Sequence, residues 1–384
     1  MKEDMKKLAI ISGSDMRNMF GGEKYIIELT KLIKTFKVTV FSFRDSTNNK
    51  IGEEKIKKIL KGNLEFFNSV SIPIIKERVP LSFSGFRMLS KLGDYDSIYI
   101  TDPSMLTILF ILLFLKLKKS KTKIVFGVHE PGFLRKTPNK ATKLRLIFLK
   151  IYRPLYKRVM FKLPNMHVLN THDYEMLKKE GYKRNIYLIP NFLYYKKPKK
   201  IISNKNEFVV LFVGRFSIYH KGIDILKKII INTLKIDGSI KFHICGKGGD
   251  GEQIIKNLTI KYPKNVIYKG FLTGKEILKE YNNASIFILT SRMEGFPLVT
   301  LEAQANGLPV IAFDVKGPHD LIKKEFQGKL IKQFETVNFT KSILKYYKLW
   351  KKGKLNIKKE KIINYIFNRY SNKKVIPKIK KMLS

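Results

Sequence analysis

Ten short apolar runs, each followed by a stretch of helical spacing, recur from one end of this chain to the other and leave few architectures open. They are Lys6–Ser12, Lys37–Phe43, Asp96–Thr101, Lys123–His129 and Met166–Asn170, then Phe208–Gly214, Lys241–Gly246, Asn265–Phe271, Ser285–Thr290 and Leu308–Asp314. Alternation of this kind favours parallel sheets with helices on both faces. The expected class is α/β. Its 384 residues, 44% of them hydrophobic, exceed what one core usually supports, so two domains are expected. The seam is read in Tyr194–Glu207, where lysines, a proline and asparagines interrupt the apolar pattern. That gives domains 1–195 and 196–367, followed by a basic segment 368–384.

The stretch Ser291–Asp314 carries the most chemistry. It reads as a strand end, a tight turn and a helix, with Pro297 at the first helical position, where its missing N–H is no loss. The backbone donors of Gly295, Phe296 and Leu298 would then point out from the positive helix end toward an anion. Glu294 would lie beside that anion, and Glu302, about one and a half turns into the helix, could offer two oxygens to vicinal hydroxyls. This is a nucleotide-sugar site in outline, although an apolar helix with two glutamates can also be purely structural. A second signal lies in Glu207–Ile230, where a strand ends in Gly214 and Arg215 and a helix opens after Lys221 and Gly222. Two cations at the carboxyl ends of parallel strands are what a diphosphate leaving group needs, because they neutralise the charge that builds on it.

Taken in order, these residues resemble the retaining glycosyltransferases of the GT-B fold, in particular the large family numbered four among them. The motifs are a glycine-rich loop at Gly21 and Gly22, a strand ending in His129, the Arg215 and Lys221 pair, the Gly246–Gly248 turn, and Glu294 and Glu302 eight positions apart. The resemblance covers essentially the whole chain. It implies two Rossmann-like domains with parallel sheets facing across a cleft, the second holding the nucleotide-sugar donor and the first the acceptor. It implies that Glu302 binds the ribose, Glu294 the transferred sugar's hydroxyls, Arg215 and Lys221 the diphosphate, and that His129 contacts the sugar. Catalytic candidates are thus Glu294, Lys221, Arg215 and His129. Donor-binding candidates are Gly22, Gly214, Gly246, Gly295, Phe296, Pro297, Leu298 and Glu302. Asn170 and Thr171, at the end of a first-domain strand, are candidates for the acceptor side. The activity implied is a metal-independent, retaining hexosyl transfer with no cofactor beyond the nucleotide-sugar co-substrate. Segment 368–384 would cross back onto the first domain.

Charge constrains partners: 76 Lys and Arg against 31 Asp and Glu leave a net +45, so an anionic surface is an expected partner. Lys140–Lys162 carries cations and no acid, interleaved with Leu, Ile, Phe, Tyr and Met. Such a segment can sit shallowly in a headgroup layer, or pack as a helix with a solvated basic face, or do both. A lipid-linked glycan acceptor on the cytoplasmic face of a membrane fits that surface. The donor is expected to be UDP-glucose or UDP-galactose. Met105–Leu117 is the most apolar run, too short for a ~30 Å hydrocarbon core, and is expected to be a crossover helix buried on the sheet. The start of the chain lacks the long apolar core of a signal peptide. Cys245 is the lone cysteine, which excludes an internal disulfide and agrees with a cytoplasmic location.

Other signals carry less. Gly246, Gly248 and Gly251 satisfy G-x-G-x-x-G, but the following strand ends in Lys269 and Gly270 instead of an acid, so a turn lining the nucleotide pocket is the better reading. Asp94 and Asp96 form D-x-D before a strand, on the edge opposite the site, and no metal is required with Arg215 and Lys221 present. The alternative function is a basic nucleic-acid-binding protein on a degenerate Rossmann scaffold. It accounts for the charge, but no exposed strand alternates aromatics in the RNA-binding manner, so nucleic acid is not favoured.

Overall fold

Strands that read as apolar throughout do so because both their faces are covered. The computed structural model describes residues 5–18, 21–44, 52–60, 62–68, 70–72, 77–79, 82–101, 105–128, 143–198, 206–355 and 359–384. The chain divides into two units, Met1–Asn191 with Val375–Ser384, and Phe192–Lys374. The residues Phe192–Tyr195, read above as the end of the first domain, belong to the second unit.

The first unit is built on a seven-stranded sheet in the spatial order Asn63–Phe67, Phe36–Phe43, Lys6–Ser12, Ser97–Thr101, Lys123–Gly127, Asn165–Val168 and Asn185–Leu188. Every pairing in it is parallel. Leu8, Ala9, Ile10 and Ile11 have no exposed surface, as expected of a strand sandwiched between helices. The order reverses between Lys6–Ser12 and Ser97–Thr101, the switch point at which such sheets open a crevice beyond their carboxyl ends.

The second unit has six parallel strands in the order Val266–Gly270, Lys241–Cys245, Val209–Val213, Ile286–Leu289, Val310–Phe313 and Gly328–Ile331. Its switch point lies between Val209–Val213 and Ile286–Leu289. The helix Ile223–Ile236 shows why the layers hold: Ile223, Leu226, Ile230 and Thr233 recur at three- and four-residue spacing and are buried, while Lys227 and Lys228 face water. Phe212, Phe216, Phe242 and Phe313 fill the core beneath, each burial contributing about 1.5–3 kcal/mol.

Two expectations are corrected. Gly21 and Gly22 do not form a loop; they open the helix Gly21–Leu32, and Gly22 has open space where a side chain would stand. Three strands of the two parallel sheets were not read from the sequence, Asn63–Phe67, Asn185–Leu188 and Gly328–Ile331, and neither was the antiparallel pair of Val70–Ile72 with Glu77–Val79. The first three are sheet edges, which need only one neighbour and so need no continuous apolar run. Asp96, of the D-x-D pair, accepts the Lys7 N–H at 2.7 Å just before Ser97–Thr101 begins.

The end of the chain is fastened to the first unit by the helix Asn372–Leu383. Val375, Ile379, Met382 and Leu383 are 1% exposed or less, and Ser97 Oγ donates to the Leu383 carbonyl at 2.5 Å. Ile379→Ala should therefore cost about 2–5 kcal/mol in chemical denaturation. A loss under about 1 kcal/mol would mean that this helix is not part of the core.

Candidate active site

The switch point of the second unit gathers an ammonium, a carboxylate and a hydroxyl. After Val209–Val213 the chain runs through Gly214, Arg215, Phe216 and Ser217 into the short helix Ile218–Lys221, where the Ser217 hydroxyl accepts the His220 N–H. Gly222 then turns with φ 65°, and a Cβ there would lie 2.2 Å from the Thr290 carbonyl oxygen. Only glycine fits so close an approach with left-handed backbone. The Thr290 hydroxyl in turn donates to the Lys221 carbonyl at 2.8 Å, tying the two neighbouring strand ends together.

Held in this way, Lys221 Nζ donates to Glu294 Oε1 at 2.5 Å, and Ser291 Oγ donates to the same oxygen at 2.6 Å. The two charged side chains are 22% and 11% exposed. Burying ions is costly unless they are paired and further hydrogen-bonded, which is what Ser291 adds. Lys221 also lies alongside Gly214, whose missing Cβ would stand 3.7 Å from Lys221 Cε. Arg215 is exposed on the same connection. A brace not foreseen from sequence is Arg292, which donates to both Asp224 oxygens at 2.9 and 2.7 Å, while its N–H reaches the His220 carbonyl. The Arg292 hydrogen bond holds the Asp224 carboxyl below its ordinary range.

The glycine turn after Lys241–Cys245 is shaped by loop-on-loop packing. Gly246, at φ 149°, would bring a Cβ within 1.9 Å of the Gly214 carbonyl, and Gly249 and Gly251 would meet the Phe216 carbonyl at 2.6 and 2.8 Å. Phe216 N–H donates to the Gly248 carbonyl and Gly251 N–H to that of Phe216, so the turn seats the Gly214–Ser217 loop. Below it, the Glu280 carboxylate accepts from His243 Nδ1 at 2.7 Å and lies 3.7 Å from Lys269 Nζ. Burial pushes the Glu280 carboxyl up, but His243 and Lys269 outweigh it and leave it lowered. Burial drives the Cys245 thiol up to about 12.

Pro297 stands one position earlier than expected. It caps the helix Leu298–Ala305 from outside, with ψ 111°, and its carbonyl accepts from Thr300 and Leu301. Beside it the Phe296 ring is buried against Tyr370, with ring centroids 5.5 Å apart. Phe296 can therefore reach a ligand only through its backbone. Gly295 is pressed against Gly317, where a Cβ would lie 2.7 Å from the Gly295 carbonyl. Leu298, half-buried, opens the helix, and the first N–H groups of any helix lack acceptors within it.

Glu302 has surroundings unlike those of Glu294. It is 7% exposed, its carboxylate accepts from the hydroxyls of Tyr194 and Tyr281, and its carbonyl accepts from Tyr195. Burial first, and the Glu302 charge second, hold the Tyr195 and Tyr281 hydroxyls well above their usual range. No local sequence pattern announces these tyrosines; Ser291, three positions before Glu294, was legible within the motif and overlooked.

In the first unit His129 lies outside the described residues. Asn170 is fully buried as the cap of the helix Thr171–Lys179, accepting the Asp173 N–H and donating to the Asp173 carboxylate at 2.8 Å each. Thr171 is exposed at the start of that helix, and Gly22 is exposed at the start of its own. A polar group missed from sequence sits at the carboxyl end of Lys6–Ser12: Gly13 N–H donates to Thr101 Oγ1 at 3.2 Å, and Ser14 Oγ to Glu23.

The profile of the family described as glycosyl transferases group 1 matches residues 195–369. A UDP-Gal:alpha-D-GlcNAc-diphosphoundecaprenol alpha-1,3-galactosyltransferase of Escherichia coli is 30% identical over 277 residues, 67% of each chain. The chain belongs to the group 1 glycosyl transferases. It is also 31% identical over 189 residues to a poly(ribitol-phosphate) alpha-N-acetylglucosaminyltransferase of Staphylococcus aureus, a match covering 48% of this chain and 35% of that protein's length. Among solved structures, Anabaena HepE in complex with UDP superposes with TM-score 0.73 at 17% identity, covering 98% of this chain and 99% of the other. The fold is therefore GT-B, with two Rossmann-like units, and membership of this family leaves the nucleic-acid alternative unfavoured.

Gly246→Ala should destabilise the protein by about 1–3 kcal/mol, because it forces backbone strain against Gly214. Gly238→Ala, at a position with open space, should change stability by less than about 0.5 kcal/mol. Equal unfolding midpoints for the two variants would refute the packing argument. A second expectation concerns acid. Because the Glu280 carboxyl is lowered on folding from its ordinary 4.5, its contribution is complete above that pH and fades as pH falls through the folded value. The stability gap between wild type and Glu280→Gln, followed by denaturation across pH, should be widest near neutrality and close in acid.

Proposed function

We propose that this chain is a retaining hexosyltransferase that moves a hexose from UDP-glucose or UDP-galactose to a hydroxyl of a lipid-linked glycan acceptor, working as a peripheral protein on the cytoplasmic face of an anionic membrane. The observation that carries the reading is the Lys221, Glu294 and Ser291 cluster at the switch point of the second unit. The E. coli relative's name, with a UDP-galactose donor and a diphosphoundecaprenol-linked acceptor, and the UDP held by the Anabaena structure support the choice of substrates.

In this mechanism a donor diphosphate competes with Glu294 for the Lys221 ammonium and draws in Arg215. Glu294, released from the ion pair, is left to accept hydroxyls of the transferred sugar. The first N–H groups of Leu298–Ala305 add donors for the phosphate oxygens. As the bond from the anomeric carbon to the diphosphate oxygen breaks, these groups stabilise the negative charge that collects on the leaving group. The acceptor oxygen bonds to the anomeric carbon on the same face, and its proton passes to the departing phosphate oxygen. Glu302 receives the ribose hydroxyls in place of the Tyr194 hydroxyl.

Lys221→Ala and Glu294→Gln should each lower transfer about 100-fold or more while the protein stays folded, with unfolding midpoints lowered by the broken ion pair. Transfer of radiolabelled sugar to a diphospholipid-linked acceptor, beside thermal shifts with UDP, GDP, ADP and an RNA oligomer, provides the readout. Normal transfer by Lys221→Ala, or stabilisation by RNA and not by UDP, would overturn the assignment.

A further inference from the structure

Helix Met105–Leu117 is apolar on every side, and one of those sides faces water. A surface helix ordinarily turns polar residues outward. Here Ile108, Ile111 and Leu115 point inward and are at most 6% exposed, whereas Leu109, Leu113 and Leu117 are 41%, 51% and 70% exposed. Four-residue spacing places those three leucines on one stripe. The neighbouring helix Phe83–Lys91 adds Phe83 and Phe86, 89% and 43% exposed, and the Phe86 ring meets Phe114 at 6.2 Å, joining the two apolar faces. At the far end of the pair Lys118 Nζ donates to the Ser90 carbonyl.

The rim is cationic. Arg87, Lys116, Lys118, Lys119 and Lys121 are exposed around the patch, and neither helix contains an acid. Asp94 and Asp96 follow the first helix, and Asp96 is engaged with the Lys7 N–H. The basic helix Lys143–Met160 packs beside Met105–Leu117 and brings exposed Lys150, Leu155 and Arg158. Exposed leucines and phenylalanines ringed by lysines match an anionic headgroup layer in both respects. A second copy of this chain fits poorly, since a net charge of +45 would set like charges against each other across the contact.

We propose that this face docks on an anionic lipid bilayer, with Leu109, Leu113, Leu117, Phe83 and Phe86 seated among the headgroups and the lysines on lipid phosphates. The proposal deepens the membrane partner named in the preceding section and rests on that reading. At about 20 Å the helix is too short to span a ~30 Å core, so it lies in the plane of the interface. Among the described residues no helix is long and apolar enough to cross a membrane.

Co-sedimentation of the full chain with vesicles of phosphatidylcholine, with and without phosphatidylglycerol, tests it. Wild type should pellet with the anionic vesicles only, more weakly as salt rises. The combined variant Leu109→Glu, Leu113→Glu, Leu117→Glu should bind about tenfold or more weakly, with its thermal stabilisation by UDP unchanged. Undiminished capture of that variant, wild type left in the supernatant, or self-association of wild type that the variant abolishes would each overturn the proposal. Should the triple variant misfold, Leu113→Cys with an environment-sensitive dye replaces it, since Cys245 is buried; emission must shift to the blue on anionic vesicles, and unchanged emission overturns the docking. Vesicle capture through these leucines without any response to UDP would sink the transferase reading and leave the surface standing.

Discussion

The candidate site of the second unit is centred on an ion pair placed where two adjacent strands end. Lys221 and Glu294 are 73 positions apart in sequence, yet the parallel pairing of Val209–Val213 with Ile286–Leu289 delivers both to one edge. Neither side chain could be left there alone without a desolvation penalty of several kcal/mol. Each orients the other, and Ser291 donates to the shared oxygen. A site arranged in this way is ordered before any donor arrives. Within the proposed reaction, the diphosphate has only to exchange one anionic partner of Lys221 for another.

What keeps that edge rigid is mostly backbone. The Gly214–Ser217 loop rests on the turn beginning at Gly246, and Gly222 touches the Thr290 carbonyl, so three strand ends are locked by approaches no side chain would permit. Arg292 and Asp224 add a bidentate clamp across the same region. Glycines that invite a phosphate-binding interpretation from sequence therefore have a packing explanation of their own, and the two roles are compatible in one turn.

Sequence reading reached the central strands because burial on both faces leaves a continuous apolar run, as at Leu8–Ile11 or Ile286–Leu289. It failed at three of the four edges of the parallel sheets, as at Asn185–Leu188 and Gly328–Ile331, which mix polar and apolar residues, and succeeded at the fourth, Val266–Gly270. The motif residues Lys221 and Glu294 were legible because each follows a strand that was itself legible. Tyr194 and Tyr281 were not, since what joins them to Glu302 is tertiary packing between segments distant in the chain. For Met105–Leu117 the apolar content gave the helix but not which side of it the sheet would cover.

The helix Asn372–Leu383 closes the first unit with residues made after the whole of Phe192–Lys374. During synthesis the second unit can therefore collapse as an uninterrupted stretch while the first still lacks the side chains of Ile379, Met382 and Leu383. Its sheet stays partly uncovered until that helix has left the ribosome, which makes the earlier-born half of these residues the later one to mature.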